Sequence, residues 1–226
     1  MNSGREQILA KLRAKRDTSD AAEQAARQRV AERIQHHAPV LIPARGQGDK
    51  AELLARFQQM ATEAIADVSL HETETAALAA IADQLQQQGI TSLVTTADAQ
   101  WQQHDWASQG IQCQVRPAQV GDHASLTPCL AGIAETGTLM ITSAPHHPTT
   151  LHFLPDWHLV VLHSSQIVGS YEDAWTRLRQ RNQQTGGMPR TVNMITGASR
   201  SADIEQRLQM GAHGPKRLSI FIVMDN

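Results

Sequence analysis

Apolar positions follow helical spacing at the start of the chain and strand spacing later. Ser3 with Glu6 forms a capping-box pattern, and Ile8, Leu9 and Leu12 follow on one face. A second stretch, about Asp20 to His37, is rich in Ala, Glu, Gln and Arg, with Val30 and Ile34 as its main large apolar residues. That is too little apolar surface for a central helix, so residues 1–38 are predicted to form a peripheral helical arm. Pro39, Pro43 and Gly46-Gln47-Gly48 mark a linker, and residues 39–226 are left as the main domain.

Beyond the linker the period alternates. Leu53, Phe57, Met60 and Ala64 repeat at helical spacing, and Ala66 to His71 reads as a strand. Thr73 to Gln88 reads as a helix with Leu78, Ile81 and Leu85 inward and Gly89 just past its end. A strand at Ser92–Thr95, a helix over Asp98–Gln109 and a strand at Ile111–Arg116 follow. Further strands are predicted at Gly132–Ala134, Thr138–Thr142, His158–His163, Val192–Thr196 and Leu218–Met224. Helices are predicted from Ser170 to about Asn182 and from about Asp203 to Gln209. Strands alternating with helices predict an α/β fold with a mainly parallel sheet covered on both faces.

Composition narrows the function classes. Hydrophobic residues make up 41% of the chain but aromatics only 4%, so the core rests on Leu, Ile, Val, Ala and Met. A net charge of −2 without a basic stripe argues against non-specific nucleic-acid binding, which needs clustered cations to displace phosphate counterions. Two cysteines, Cys113 and Cys129, cannot supply the four ligands of a typical iron–sulfur cluster or a Cys₄ zinc site. The segment Met1–Arg16 is charged throughout, and no apolar run reaches the ~18 residues of a membrane span. A cytoplasmic location is therefore expected.

Four constellations could carry chemistry. In Ala134-Glu135-Thr136-Gly137-Thr138, Gly137 permits positive φ, the Thr136 and Thr138 hydroxyls can hold an anion, and Glu135 can serve as base or nucleophile. The alternative is a tight turn with a solvated glutamate. In Thr196-Gly197-Ala198-Ser199-Arg200-Ser201-Ala202-Asp203, a strand end followed by a predicted helix offers amides, Ser199 and Arg200 to a carboxylate or phosphate. Ligands usually bind at the carboxyl ends of strands in open α/β sheets, so the pocket is expected there. The alternative is a plain cap by Ser201 or Asp203. In Met210-Gly211-Ala212-His213-Gly214-Pro215, Gly211 fits a helix C-cap and His213 sits on a loop as a candidate acid or base, or as a turn residue without a role. The histidines His146, His147, His152, His158 and His163 suggest a metal. Pro145 and Pro148 flank the first pair, however, and no metal is assigned; His158, opening an apolar strand, is expected to be internally hydrogen-bonded. Dinucleotide, P-loop and nucleophile-elbow patterns are absent from the sequence.

Taken in order, the Gly132–Leu139, Leu154–Val161, Thr196–Glu205 and Gly211–Pro215 segments resemble the LUD domain of the lactate utilization protein C family. The resemblance implies a Rossmann-like three-layer sandwich similar to the NagB/RpiA/CoA-transferase group, here with an N-terminal helical extension. It implies a role in oxidising L-lactate to pyruvate with partner proteins that carry the iron–sulfur clusters, this chain holding none. It raises Glu135 and His213 as catalytic candidates, and Thr136, Gly137, Thr138, Ser199, Arg200 and Asp203 as residues binding a small carboxylate or phosphate. Two alternatives stay open: a freestanding enzyme of the CoA-transferase or sugar-phosphate-isomerase type, and a non-catalytic assembly or regulatory module docking through its N-terminal helices.

Overall fold

The computed structural model describes residues 4–14, 19–37, 41–204 and 207–225, with backbone alone at 99–100, 202–204 and 207–209. Two compact units make up the chain, Met1–Leu41 and Ile42–Asn226. The first holds α1 (Gly4–Ala14) and α2 (Asp20–His36). The Ser19 hydroxyl caps α2 by accepting from the Ala22 N–H at 3.2 Å. Neither helix buries a residue. Ile8, Leu12, Val30 and Ile34 are all more than half exposed, as the sparse apolar pattern predicts. Ser3, the expected cap of α1, lies outside the described residues.

The second unit begins with a 3-10 turn at Ala44–Gly46, then α3 (Lys50–Glu63), β1 (Asp67–His71), α4 (Glu74–Gln87), β2 (Ser92–Thr95), α5 (Ala99–Gln103), β3 (Gln112–Val115) and β4 (Ala124–Pro128). It continues with β5 (Ala131–Ile133), β6 (Thr138–Thr142), α6 (Thr150–Phe153), β7 (Trp157–His163), β8 (Ile167–Val168), α7 (Tyr171–Thr185), β9 (Val192–Ile195), β10 (Arg200–Ile204), β11 (Arg207–Met210) and β12 (Arg217–Val223). Capping boxes start α3 (Asp49 with Glu52) and α7 (Ser170 with Asp173).

Six strands form a parallel sheet in the order β1-β12-β7-β4-β2-β3. Alternation along β7 and β12 sorts the core. Trp157, Leu159, Val161, Phe221 and Val223 pack with α4 on one face. On the other, Val160, Leu162, Leu218, Ile220 and Ile222 pack with Phe57 and Ala61 of α3 and with Leu139 and Ile141 of a second sheet. That sheet, β8-β5-β6-β9, is mixed, and α7 covers its far side through Ala174 and Leu178. The mixed α/β fold with a mainly parallel sheet is thus as expected. Among the described residues no helix is long and apolar enough to cross a membrane.

Three elements depart from the sequence reading. The helix expected over Asp98–Gln109 breaks after α5, because the Trp106 indole N–H takes the Trp101 carbonyl at 2.7 Å, which a continuous helix would give to a backbone amide. β4 carries no strand signature, since its buried Ser125 and Thr127 read as loop residues. Their hydroxyls are matched internally, Ser125 donating to the Leu151 carbonyl at 2.6 Å and Thr127 meeting His158 at 2.7 Å. The helix expected over Asp203–Gln209 is instead the antiparallel ribbon β10–β11. The Gly211 N–H donates to the Ser199 carbonyl at 2.8 Å, which pins the two ends of the segment together. A helix over Asp203–Gln209 would span about 10 Å and carry the chain away, so the chain must double back.

Candidate functional site

The Glu135-Thr136-Gly137-Thr138 segment turns the chain from β5 into β6. Gly137 adopts φ +65°, and a Cβ there would collide with the backbone of Met60 and Ala61 in α3. The turn is pressed onto the helix, which buries Glu135 to 7% exposure. Its carboxylate lies 3.4 Å from the Arg45 guanidinium, on the 3-10 turn that begins the unit. Arg56 anchors that turn by donating to the carbonyls of Arg45 (2.6 Å) and Gln47 (2.9 Å). From the residue after Glu135 a run of hydroxyls leads away. Thr136 meets Thr138 at 2.7 Å, Thr138 meets Thr196 at 2.6 Å, and the Tyr171 hydroxyl lies 3.1 Å from both Thr136 and Thr138.

Thr196 opens the second constellation, just past β9. Gly197, at φ +70°, packs so closely that a Cβ would strike the Ala64 carbonyl. Both turns therefore rest on the end of α3. The next residues join the third constellation through the main chain: the Ser199 N–H donates to the Pro215 carbonyl (2.9 Å), and the His213 N–H points to the Ser199 hydroxyl (3.4 Å). These segments wall a cavity of about 210 Å³, lined among others by His152, His158, Met194, Ser199, His213 and Leu218. Such a volume falls below the ~300–1,000 Å³ of drug-sized sites and suits a small ligand.

The cavity lies at the other end of the parallel sheet from the one expected for the site. His158 and Leu218 are the second residues of β7 and β12, so it opens at the amino edge of the parallel sheet. At the carboxyl edge lies a separate crevice of about 440 Å³, lined by Glu74, Asp98, Trp101 and His163 among others. The ribbon also removes the helix N-terminus, and with it the amides expected beside Ser199 and Arg200; Gly211 keeps positive φ at the end of a strand rather than of a helix. Arg200 is exposed, and neither it nor Glu135 is among the described residues lining the cavity. The side chain of Asp203 lies outside the described residues.

The histidines separate by place. His163 sits between Asp225 (2.9 Å) and Glu74 (3.6 Å) at the carboxyl edge, while His147 approaches Asp98 at 4.0 Å. His152 and His158 stack at the amino-edge cavity, 5.6 Å between ring centres, each 1% exposed. Burial lowers the His152 pKa to about 4 and holds His158 well below the usual imidazole range, so both rings are neutral. The His158 Nε2–Thr127 contact is the internal bond its strand position predicts. Among the described residues no cluster of three metal-ligating side chains forms. Burial also pushes the thiols up, Cys113 to about 11 and Cys129 to about 12, so neither is set up as a nucleophile.

The sequence reading missed Arg45, Tyr171, Asn193 and the pairing of His152 with His158. Arg45 sat in a stretch read as linker. The single tyrosine, next to the cap of a predicted helix, was the one available signal.

The architecture defines an α/β protein with a small-ligand cavity at the amino edge of its parallel sheet. The chain belongs to the LUD domain family, whose model matches residues 48–223. Among its relatives, Lactate utilization protein C of Geobacillus thermodenitrificans is 33% identical over 93 residues, covering 41% of this chain and 39% of that protein. The protein of the same name from Bacillus subtilis is 29% identical over 146 residues, 61% of this chain and 58% of that one. An uncharacterized protein of Neisseria meningitidis is 38% identical over 93 residues, again 39% of its length. The matches thus span about two-fifths to three-fifths of these relatives. A crystal structure of a DUF162 family protein from Deinococcus radiodurans shares the fold, with a TM-score of 0.59 and 20% identity over 78% of this chain and 99% of that one.

Proposed function

We propose that this chain is a cytoplasmic component of a system oxidising L-lactate to pyruvate, and that it binds a small carboxylate in the amino-edge cavity. The observation that carries the reading is the meeting of Ser199 and His213, from two family-like segments, in one cavity of suitable size. Family membership and relatives named for lactate utilization support a role in that process. His213 takes the proton of the substrate hydroxyl, and Ser199 holds it by a hydrogen bond. Arg200, exposed beside them, draws the anion in. Thr136, Gly137 and Thr138 stand behind the cavity rather than in its lining, and the Thr136 and Thr138 hydroxyls lead from the Glu135 turn to Thr196, which lines it. Glu135 is the second acid–base candidate on this route. The C2 hydrogen leaves together with the electron pair to the partner proteins that carry the iron–sulfur clusters. We place the fold with the NagB/RpiA/CoA-transferase group as a Rossmann-like three-layer sandwich.

The test is L-lactate oxidation by the purified chain with an artificial electron acceptor, alone and mixed with its iron–sulfur partners. Activity confined to the mixture, and lost with His213→Ala, is the expected result. Full activity of the partners without this chain would overturn it. A second reading, a docking module, is favoured by the exposed Ile8, Leu12, Val30 and Ile34 of the N-terminal unit. It requires that deleting residues 1–38 abolish complex formation.

A further inference from the structure

His152 and His158 are left without a task in the reading above, although they bound the same cavity. Their hydrogen bonds set their protons. The Asn193 amide N–H donates to His152 Nδ1 at 2.9 Å, which places the ring proton on Nε2. Thr127 is fully buried, and its hydroxyl meets His158 Nε2 at 2.7 Å. A buried hydroxyl is best satisfied by giving its hydrogen to that nitrogen, which places the ring proton on Nδ1. His152 Nε2 and His158 Nδ1 are buried, and neither has a hydrogen-bond partner among the described residues. Two stacked imidazoles that line one cavity thus each carry a buried, unmatched N–H donor, an arrangement that asks for an acceptor oxygen. Phe153, Met194 and Leu218 supply apolar surface in the same cavity.

We propose that His152 and His158 form a charge-neutral floor that receives the carboxylate of a short aliphatic acid. The acid lies carboxylate-first on the two ring N–H groups, its alkyl end against Phe153, Met194 and Leu218. Its 2-substituent is left to Ser199 and His213, so His213 works on the hydroxyl and not on the carboxylate. Neutral donors hold the anion through charge-assisted hydrogen bonds without a buried cation. This inference rests on the reading that the cavity binds a small carboxylate, and it adds which end of the molecule goes where.

The experiment is a titration of the full chain, with ring-¹⁵N-labelled histidine and labelled backbone, by propionate, L-lactate, pyruvate and the neutral amide of propionate. The acids should shift His152 Nε2 and His158 Nδ1 saturably and the amide should do so far less, while His152→Phe should weaken acid binding about tenfold or more. If the acids move the Ser199 and Gly214 amides but leave both rings still, the floor is wrong and the carboxylate cavity survives. If no acid perturbs any cavity residue, the carboxylate reading itself fails and this inference fails with it. The ring shifts of the unaltered chain decide the matter even if His152→Phe does not fold.

Discussion

The two edges of the parallel sheet are built on opposite plans. At the carboxyl edge two rings meet carboxylates: His163 lies between Glu74 and Asp225, and the Trp101 indole donates to Glu74 at 2.7 Å. At the amino edge two imidazoles are buried with a nitrogen each unmatched. Topology points to the first edge as the ligand site, since strands diverge there in many open α/β sheets. Side-chain chemistry points to the second, because an unmatched buried donor costs stability that a purely structural site has no reason to lose. The proposed site therefore rests on unmatched polar groups lining a cavity rather than on the rule about strand ends.

The largest expected effect sharpens the amino edge as a rigid wall. Gly197→Ala drives a methyl group into the Ala64 carbonyl at a positive φ, and should cost about 3–5 kcal/mol in denaturant unfolding. A near-normal midpoint would show that the turn yields.

Acid titration separates the edges next. His152 is neutral when folded, with its pKa lowered to about 4 from 6.5, so the unfolded chain binds more protons between those values. Stability is full above 6.5 and falls as pH drops toward 4, by about 3 kcal/mol for this residue, with His158 acting in the same direction. Asp225, at the other edge, is lowered to about 2 from 3.8 by its hydrogen bonds to Ser165 and by His163. Its contribution is present above 3.8 and is lost only as pH falls toward 2. Thermal melts across pH 7 to 4 should therefore flatten in His152→Phe and stay unchanged in Asp225→Asn. The reverse assignment would break the comparison.

Substitution at neutral pH should move the edges to different extents. His163→Leu removes the ring between Glu74 and Asp225, which keep their bonds to Trp101 and Ser165, and should destabilise by about 1 kcal/mol. His152→Phe removes an unmatched donor but also the acceptor of the Asn193 amide, so the two should nearly cancel in stability while ligand binding is impaired. Equal losses at the two sites would mean that His152 is structural. Tyr171→Phe should cost about 1 kcal/mol, for loss of the hydroxyl shared by Thr136 and Thr138.

Much of the fold was legible because period and burial agree. Leu159, Val160, Val161 and Leu162 announce β7, and Asp49, Thr73 and Ser170 cap the helices where a sequence reader looks for them. β4 was illegible because its polar residues find partners far along the chain. The β10–β11 ribbon was illegible for a different reason. Local propensity favours a helix there, and the bond between Ser199 and Gly211 that overrules it exists only once the ends meet. Of the candidate residues, Ser199 and His213 were found from sequence and are brought together. Glu135 was found too, but its partner is Arg45 rather than Arg200. His152 and His158 stand out in the sequence only within a five-histidine group to which no metal is assigned, and the bonds to Asn193 and Thr127 that orient their rings cannot be read from spacing.

The hydroxyl junction has a practical consequence. Tyr171 is the only tyrosine in the chain. Growth on fluorinated tyrosine would thus install a single spectroscopic beacon in the native protein without altering any other residue. Its one resonance would report from the seam where the Glu135 turn meets the cavity wall.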